Sequence, residues 1–243
     1  MSRPAGVLTY HRLTDQSTAF YDVDWATFER HVRLIARRAT SVEGPWVRLA
    51  GERTVAISFD DGTADHVRAA EILAHHGLPG TFFIVSGWMD TEGFVTSTDV
   101  ASMAEAGHVI GSHSAHHRLL PTLSDEELTA ELTASRTALE QVIGRRVNWL
   151  APPGGACDDR VLAAAGMAGY DVVRTMEWGY TTDTPSGRTS CLPVFRNYDD
   201  AMVTRLIDGR APLWRYRAKT TVKRLLPDKT YHRLRAISAA GRR

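Results

Sequence analysis

Cysteine is scarce in this chain. Of 243 residues only Cys157 and Cys191 carry a thiol, too few for a disulfide scaffold. Long apolar runs are missing as well. No stretch approaches the ~20 consecutive apolar residues that a membrane-spanning helix needs. The opening, Met1-Ser2-Arg3-Pro4-Ala5-Gly6-Val7, lacks the apolar segment of a signal peptide, so a soluble, reducing, cytoplasmic setting is expected. No internal repeat and no low-complexity linker is visible. With 43% hydrophobic and 23% charged residues the composition is ordinary for a globular protein, which excludes wholesale disorder, collagen-like and coiled-coil classes.

Net charge is also nearly absent, +1 from 29 Lys and Arg against 28 Asp and Glu. That neutrality hides an asymmetry. Eleven of the 29 bases lie in residues 210–243 against the single acid Asp228, leaving 18 bases and 27 acids in the first 209 residues. The chain therefore reads as an acidic body, 1–209, with a basic helical extension, 210–243. In the extension, Leu213-Trp214-Arg215-Tyr216-Arg217 and Val222-Lys223-Arg224-Leu225-Leu226 interleave bases with apolar residues, as peripheral membrane-binding helices do. An anionic membrane surface is one expected partner, and a helix folded back on the acidic body is the alternative. Nucleic acid is not expected, because no recognition motif accompanies the bases.

Within the body, apolar β-rich runs alternate with helical patterns, the signature of a parallel sheet wrapped by helices. Val7 to Tyr10, Thr54 to Phe59, Thr81 to Val85, His108 to Gly111, Val147 to Leu150, Asp171 to Thr175 and Leu192 to Phe195 read as strands. Helices are expected after Asp24, over Ala64 to His76, over Asp99 to Ala106, from the Ser124/Glu127 capping box to Gly144, over Asp159 to Ala168 and over Asp199 to Ile207. His31, His66, His75, His76 and His232 fall on helices or the extension and are expected to be solvated.

In such folds ligands collect at the carboxyl ends of the strands. After Thr54 to Phe59 come Asp60, Asp61 and Gly62. Adjacent carboxylates at a strand end disfavour each other's ionisation, and a cation would relieve that cost. Taken alone, Asp-Asp-Gly is as well read as a turn. After His108 to Gly111 come His113 and His117, spaced to share one face of a helical turn and one metal ion. A carboxylate with two imidazoles is an open set that leaves positions for water and substrate. A third strand ends in Ala151-Pro152-Pro153-Gly154-Gly155, a side-chain-poor turn that lets a backbone N–H approach a substrate oxygen.

In this order the segments resemble the polysaccharide deacetylases, the NodB-homology group of carbohydrate esterase family four. Ser58-Phe59-Asp60-Asp61-Gly62 matches the family's first motif and His113-Ser114-Ala115-His116-His117 its second. The resemblance spans about residues 5 to 197. It implies a distorted (β/α)7-type barrel. It also implies Asp60 as catalytic base, and Asp61, His113 and His117 as ligands of a divalent metal, usually zinc, with cobalt or nickel as substitutes. The reaction implied is removal of an N-acetyl group from an amino sugar in a polysaccharide, an oligosaccharide or a lipid-linked glycan precursor. In the third motif Ala151 stands where the family's best-known form has an arginine that orients the base, which leaves the tuning of Asp60 open, and Gly154, after Pro153, would supply the oxyanion N–H. Arg174 and Glu177 lie near the fourth motif. The late strand lacks the family's last histidine. Leu8-Thr9-Tyr10-His11 instead resembles the circularly permuted exopolysaccharide deacetylase branch, which makes His11 the expected general acid. Trp178 and Trp88 are candidates to wall the acetyl pocket or stack on a sugar. Two alternatives remain open: a glycan-binding pseudoenzyme that has lost catalysis, and a hydrolase of O-acetyl esters or another C–N bond.

Overall fold

The computed structural model describes residues 3–16, 19–51 and 53–213. Along the chain run β1 (Pro4–Tyr10), α1 (Trp25–Ala36), β2 (Ala39–Glu43), β3 (Trp46–Leu49), β4 (Thr54–Phe59) and α2 (Asp65–His75). There follow β5 (Thr81–Ile84), α3 (Ser97–Glu105), β6 (Val109–Ser112), α4 (Asp125–Ile143), β7 (Trp149–Leu150), α5 (Asp159–Met167), β8 (Val172–Trp178), β9 (Thr181–Thr182), β10 (Gly187–Pro193) and α6 (Asp200–Ile207). Most of the basic extension lies outside the described residues, His232 with it.

Seven strands are parallel neighbours in the order β1, β4, β5, β6, β7, β8 and β10. The first strand closes the ring. β1 pairs along its length with β4, from Ala5 opposite Thr54 to Tyr10 opposite Phe59, and on its other side with β10 through Leu8 and Leu192. The result is the expected seven-stranded barrel. Because side chains alternate along a strand, each strand divides its residues between interior and helices. Ala5, Val7, Ala56, Phe83, Trp149, Val172 and Cys191 form one buried cluster in the interior. Among the strand residues facing the other way, Phe59 and Phe82 stack at 4.7 Å, and Phe59 lies 5.2 Å from the His66 ring of α2.

Helix termini follow local chemistry. Asp24 accepts a hydrogen bond from the Thr27 N–H at 2.8 Å, and Ser124 and Glu127 cap α4 reciprocally. α4 stops at Gly144, whose φ of 64° only glycine adopts without strain. α3 begins two residues earlier than expected, because Asp99 is the third residue of a capping box opened by Thr96.

Several expectations need correction. His31 and His66 are fully buried, not solvated. Both sit on the inward stripe of their helices, His31 with Phe28, Val32 and Ile35, and His66 with Ala69, Ala70 and Leu73. The last barrel strand starts at Gly187 and ends at Pro193, so Phe195 follows it. Its polar first half is ordered by pairing with β8, Gly187 opposite Val172, which no apolar run announces. The antiparallel β2–β3 hairpin, turning at Gly44-Pro45, has no apolar alternation to announce it, since every β2 residue after Ala39 is exposed. Its Trp46 is buried in the interior cluster.

Candidate active site

The loops after β1, β4 and β6 converge at one end of the barrel. At the end of β4 the chain turns sharply, with Asp61 at φ 80° and Gly62 at φ 74°. A Cβ on Gly62 would lie 3.1 Å from the Ile84 side chain, so this turn has little room for another residue. The turn sends neighbouring carboxylates to different partners. Asp61 Oδ1 lies 3.3 Å from Nε2 of both His113 and His117. Asp60 instead pairs with Arg174 through Oδ1, and its Oδ2 lies 3.8 Å from His11 Nε2.

The helical turn expected to carry the two histidines is absent. Residues 113–119 form a loop in which Ser114 and His117 both take left-handed backbone conformations, at φ 66° and 57°. Of four non-glycine residues with positive φ among the described residues, Asp61, Ser114 and His117 belong to this one site. Such conformations persist only where the surroundings enforce them, and the loop is anchored accordingly. Ser114 Oγ accepts from the His117 N–H at 3.0 Å, and the buried Glu131 of α4 accepts from both the backbone and Nδ1 of His116.

The donor set suits a divalent metal. Ligating atoms from Asp61, His113 and His117 all lie within 4.8 Å of one another. His113 Nδ1 lies 2.6 Å from the Ala151 carbonyl oxygen. A carbonyl only accepts, so Nδ1 carries the proton and Nε2 presents its lone pair towards Asp61, the outer-sphere orientation that imidazole ligands use. The carboxyl of Asp61 is held below the ordinary carboxylate range: burial opposes ionisation, but contact with His113 and His117 outweighs it. Ala151 thus contributes through its backbone, where the family's third motif contributes a side chain.

An arginine from outside the third motif reaches Asp60. Arg174, in the middle of β8, is fully buried and ion-paired with Asp60, which is itself buried. Val172 and Arg174 share the inward face of β8, and the guanidinium lies over the Phe83 ring at 4.8 Å. Burial by itself would raise the Asp60 pKa. The charge of Arg174, followed by His113 and His11, overcomes it and leaves Asp60 below the ordinary value. The sequence held one signal for this residue: an arginine at an inward position of an otherwise apolar strand must find a buried partner.

His11 follows β1, and because β1 lies beside β4 its imidazole reaches Asp60 without a histidine on β10. The loop is pinned from α2: His66 Nε2 lies 2.6 Å from the His11 carbonyl oxygen, and Asp65 accepts from the Leu13 N–H at 2.7 Å. His11 Nδ1 is buried without a partner. Burial lowers the His11 pKa more than Asp60 and Asp61 raise it, so its resting state is the neutral imidazole.

The remaining candidates lie around this centre. Pro153 is buried and Gly154 exposed on the turn after β7, with Gly154 at φ 63° and open save for the Leu119 side chain. Trp88 lies against His117, ring centroids 5.0 Å apart. Trp178 packs on Phe195 at 5.6 Å. Glu177 is engaged by Arg188 on the neighbouring strand and does not contribute to the Asp60 pair.

Around this end of a parallel barrel stand paired carboxylates after one strand, two histidines after another and a buried arginine against Asp60. The family is identified by sequence: the polysaccharide deacetylase profile matches residues 48–173, half of the chain, and this protein belongs to that family. A peptidoglycan-N-acetylmuramic acid deacetylase of Bacillus subtilis is 28% identical over 125 residues, covering 50% of this chain and 46% of the relative. Chitin deacetylase 1 of Saccharomyces cerevisiae is 34% identical over 131 residues, covering 52% and 41%. The chain thus spans about half the length of these relatives. In fold, a polysaccharide deacetylase from Bacillus cereus superposes with a TM-score of 0.74 at 22% identity, over 85% of this chain and 69% of that one. IcaB from Ammonifex degensii superposes at 0.72 and 18% identity, over 86% and 98%. His11 lies outside the matched family segment, which begins at residue 48.

Proposed function

We propose that this protein is a divalent-metal-dependent hydrolase that removes N-acetyl groups from amino sugars of a glycan or a lipid-linked glycan precursor. The observation that carries the reading is the division between neighbouring carboxylates, Asp61 turned to His113 and His117 and Asp60 turned to Arg174 and His11. The relatives named for peptidoglycan and chitin favour an N-acetylated amino-sugar polymer. Held by Asp61, His113 and His117, a divalent ion such as zinc would polarise the acetamide carbonyl and acidify water.

Asp60, kept ionised by Arg174, takes the proton of the attacking water. The Gly154 N–H, on the exposed turn after β7, would donate to the oxygen that gains charge. When the C–N bond breaks, the amine nitrogen must be protonated, and His11 supplies that proton. Asp60 Oδ2 lies 3.8 Å from His11 Nε2, which gives the proton taken by Asp60 a route to His11 before it passes to the amine. Acetate and a free amino sugar result. Arg174 paired with Asp60 and His11 at 3.8 Å from it support catalysis over a glycan-binding pseudoenzyme.

Acetate release from N-acetylglucosamine oligomers, with and without a chelator and with zinc, cobalt or nickel restored, tests the reading. Release that survives chelation overturns the metal requirement. Asp60→Asn should abolish turnover. His11→Ala should lower it at least ~100-fold, the low end for a lost acid-base group, with metal content per chain unchanged. Near-normal turnover of that variant refutes the role of His11. Cleavage of O-acetyl esters alone would move the assignment to an esterase.

A further inference from the structure

Exposed apolar side chains are few on the described surface, and they are unevenly placed. Phe20 and Tyr21 are 47% and 42% exposed, and Leu119 is 53% exposed; Val42 and Met167 are the other large ones among the described residues. Phe20, Tyr21 and Leu119 lie on the loops that follow β1 and β6, the loops that carry His11 and the two metal-ligating histidines.

Around His11 the aromatic rings form a continuous series. Tyr21 lies 4.7 Å from the His11 ring and 5.2 Å from Phe195, and Phe20 lies 4.3 Å from Phe195 at an interplanar angle of 30°. Phe195 in turn packs on Trp178 and, edge-on, on Tyr198. The outermost members are held in place. The Arg196 N–H donates to the Phe20 carbonyl at 3.2 Å, and Asp22 closes the Ala19–Asp22 turn by accepting from the Ala19 N–H at 2.7 Å. These rings are therefore a fixed shelf with a buried foundation. Exposed aromatic faces rimmed by polar groups mark ligand grooves, and a pyranose ring presents the flat C–H face that such a shelf accommodates.

We propose that Phe20 and Tyr21, backed by Phe195, form a pyranose-stacking subsite on the His11 side of the reacting sugar, which makes this protein selective for chains of linked sugars over a single N-acetylated sugar. The proposal rests on the deacetylase reading of the same site. Continuity decides the occupant: the shelf begins at the ring placed to protonate the leaving amine, so whatever covers it is joined to the substrate. Stacking on each ring contributes enough for roughly a 2- to 10-fold gain in affinity. Trp88, against His117, is on the metal-ligand side and lies outside this proposal.

The test compares acetate release from N-acetylglucosamine and from its tetramer by the full chain, the Phe20→Leu/Tyr21→Leu variant and the Phe20→Ala/Tyr21→Ala variant, with thermal melting as the folding control. Leucine keeps apolar bulk and removes the flat face. The wild type should prefer the tetramer, and both variants should lose roughly 10-fold of that preference through KM, with Tyr21→Trp retaining it. Tetramer preference unchanged in the leucine variant, or absent from an active wild type, overturns the subsite. Should no substrate release acetate, the deacetylase reading fails separately. Tetramer binding measured calorimetrically on Asp60→Asn protein then decides the shelf: binding weakened by the leucine pair upholds it, and unaltered or undetectable binding overturns it.

Discussion

Replacing Arg174 by methionine isolates what the buried pair does. The side chain is fully buried, and its partner Asp60 is 3% exposed, so water cannot take over the lost contact. Breaking a buried ion pair from one side leaves the other charge uncompensated and costs about 3–5 kcal/mol. Methionine nearly preserves volume and would lie beside Met176 and Phe83, so little of that loss would come from a cavity. Removing both charges is a different perturbation. Arg174→Met with Asp60→Leu leaves no stranded charge and should recover most of the loss. Denaturant unfolding of metal-free wild type, both single variants and the double variant at pH 7 would close the cycle. The expected coupling energy is about 2 kcal/mol or more, in the upper part of the range for contacting residues. Turnover should be lost in every variant of the cycle, because Asp60 is either removed or no longer held in place. An Arg174→Met protein within about 1 kcal/mol of wild type, which is the scale of an exposed pair, would refute the reasoning.

Two further outcomes follow from the same physical picture. Burial lowers the His31 pKa to about 4 in the folded protein, where its Nδ1 lies 3.0 Å from the Tyr10 hydroxyl. The unfolded chain therefore binds the extra proton first. Stability due to this group is complete above the unfolded value of ~6.5 and falls by about 1.4 kcal/mol per pH unit down to about pH 4, a slope that His31→Gln should remove. Identical pH dependence of unfolding in the two proteins would contradict the assignment. For residues 210–243, the proposal is attachment at an anionic inner membrane face: binding to anionic vesicles should fall as salt rises and disappear on their deletion, and binding unchanged by deletion would end the idea.

How far the sequence could be read depended on the range of the interactions involved. Asp60-Asp61-Gly62 and the His113/His117 pair were legible because a reactive centre needs particular residue types at short spacings. The capped helices α1 and α4 were legible because their signals, Asp24 or Ser124 with Glu127, act within one turn. The early half of β10 was not, since Gly187 to Ser190 become a strand by pairing with β8 rather than by any apolar pattern of their own. The burial of His31 and His66 follows from position, because each occupies the inward stripe of its helix, and not from residue type, since histidine is polar enough to suit either side. The loop geometry at Ser114 and His117 was hidden, since the four-residue spacing fits a helical turn equally well.

The sequence by itself determined the chemistry available: which strand ends carry carboxylates and imidazoles, and which alternation of strand and helix wraps a barrel. Tertiary structure decided which of those groups act on one another. Arg174 stands 114 positions from Asp60 along the chain, and His11 stands 49 positions away, yet both reach it. They do so because β1 closes the barrel beside β4 while the inward face of β8 looks across the interior to the same carboxylate. A buried charge must be compensated by whatever lies nearest in space, and nearness across a closed barrel is set by strand order and register.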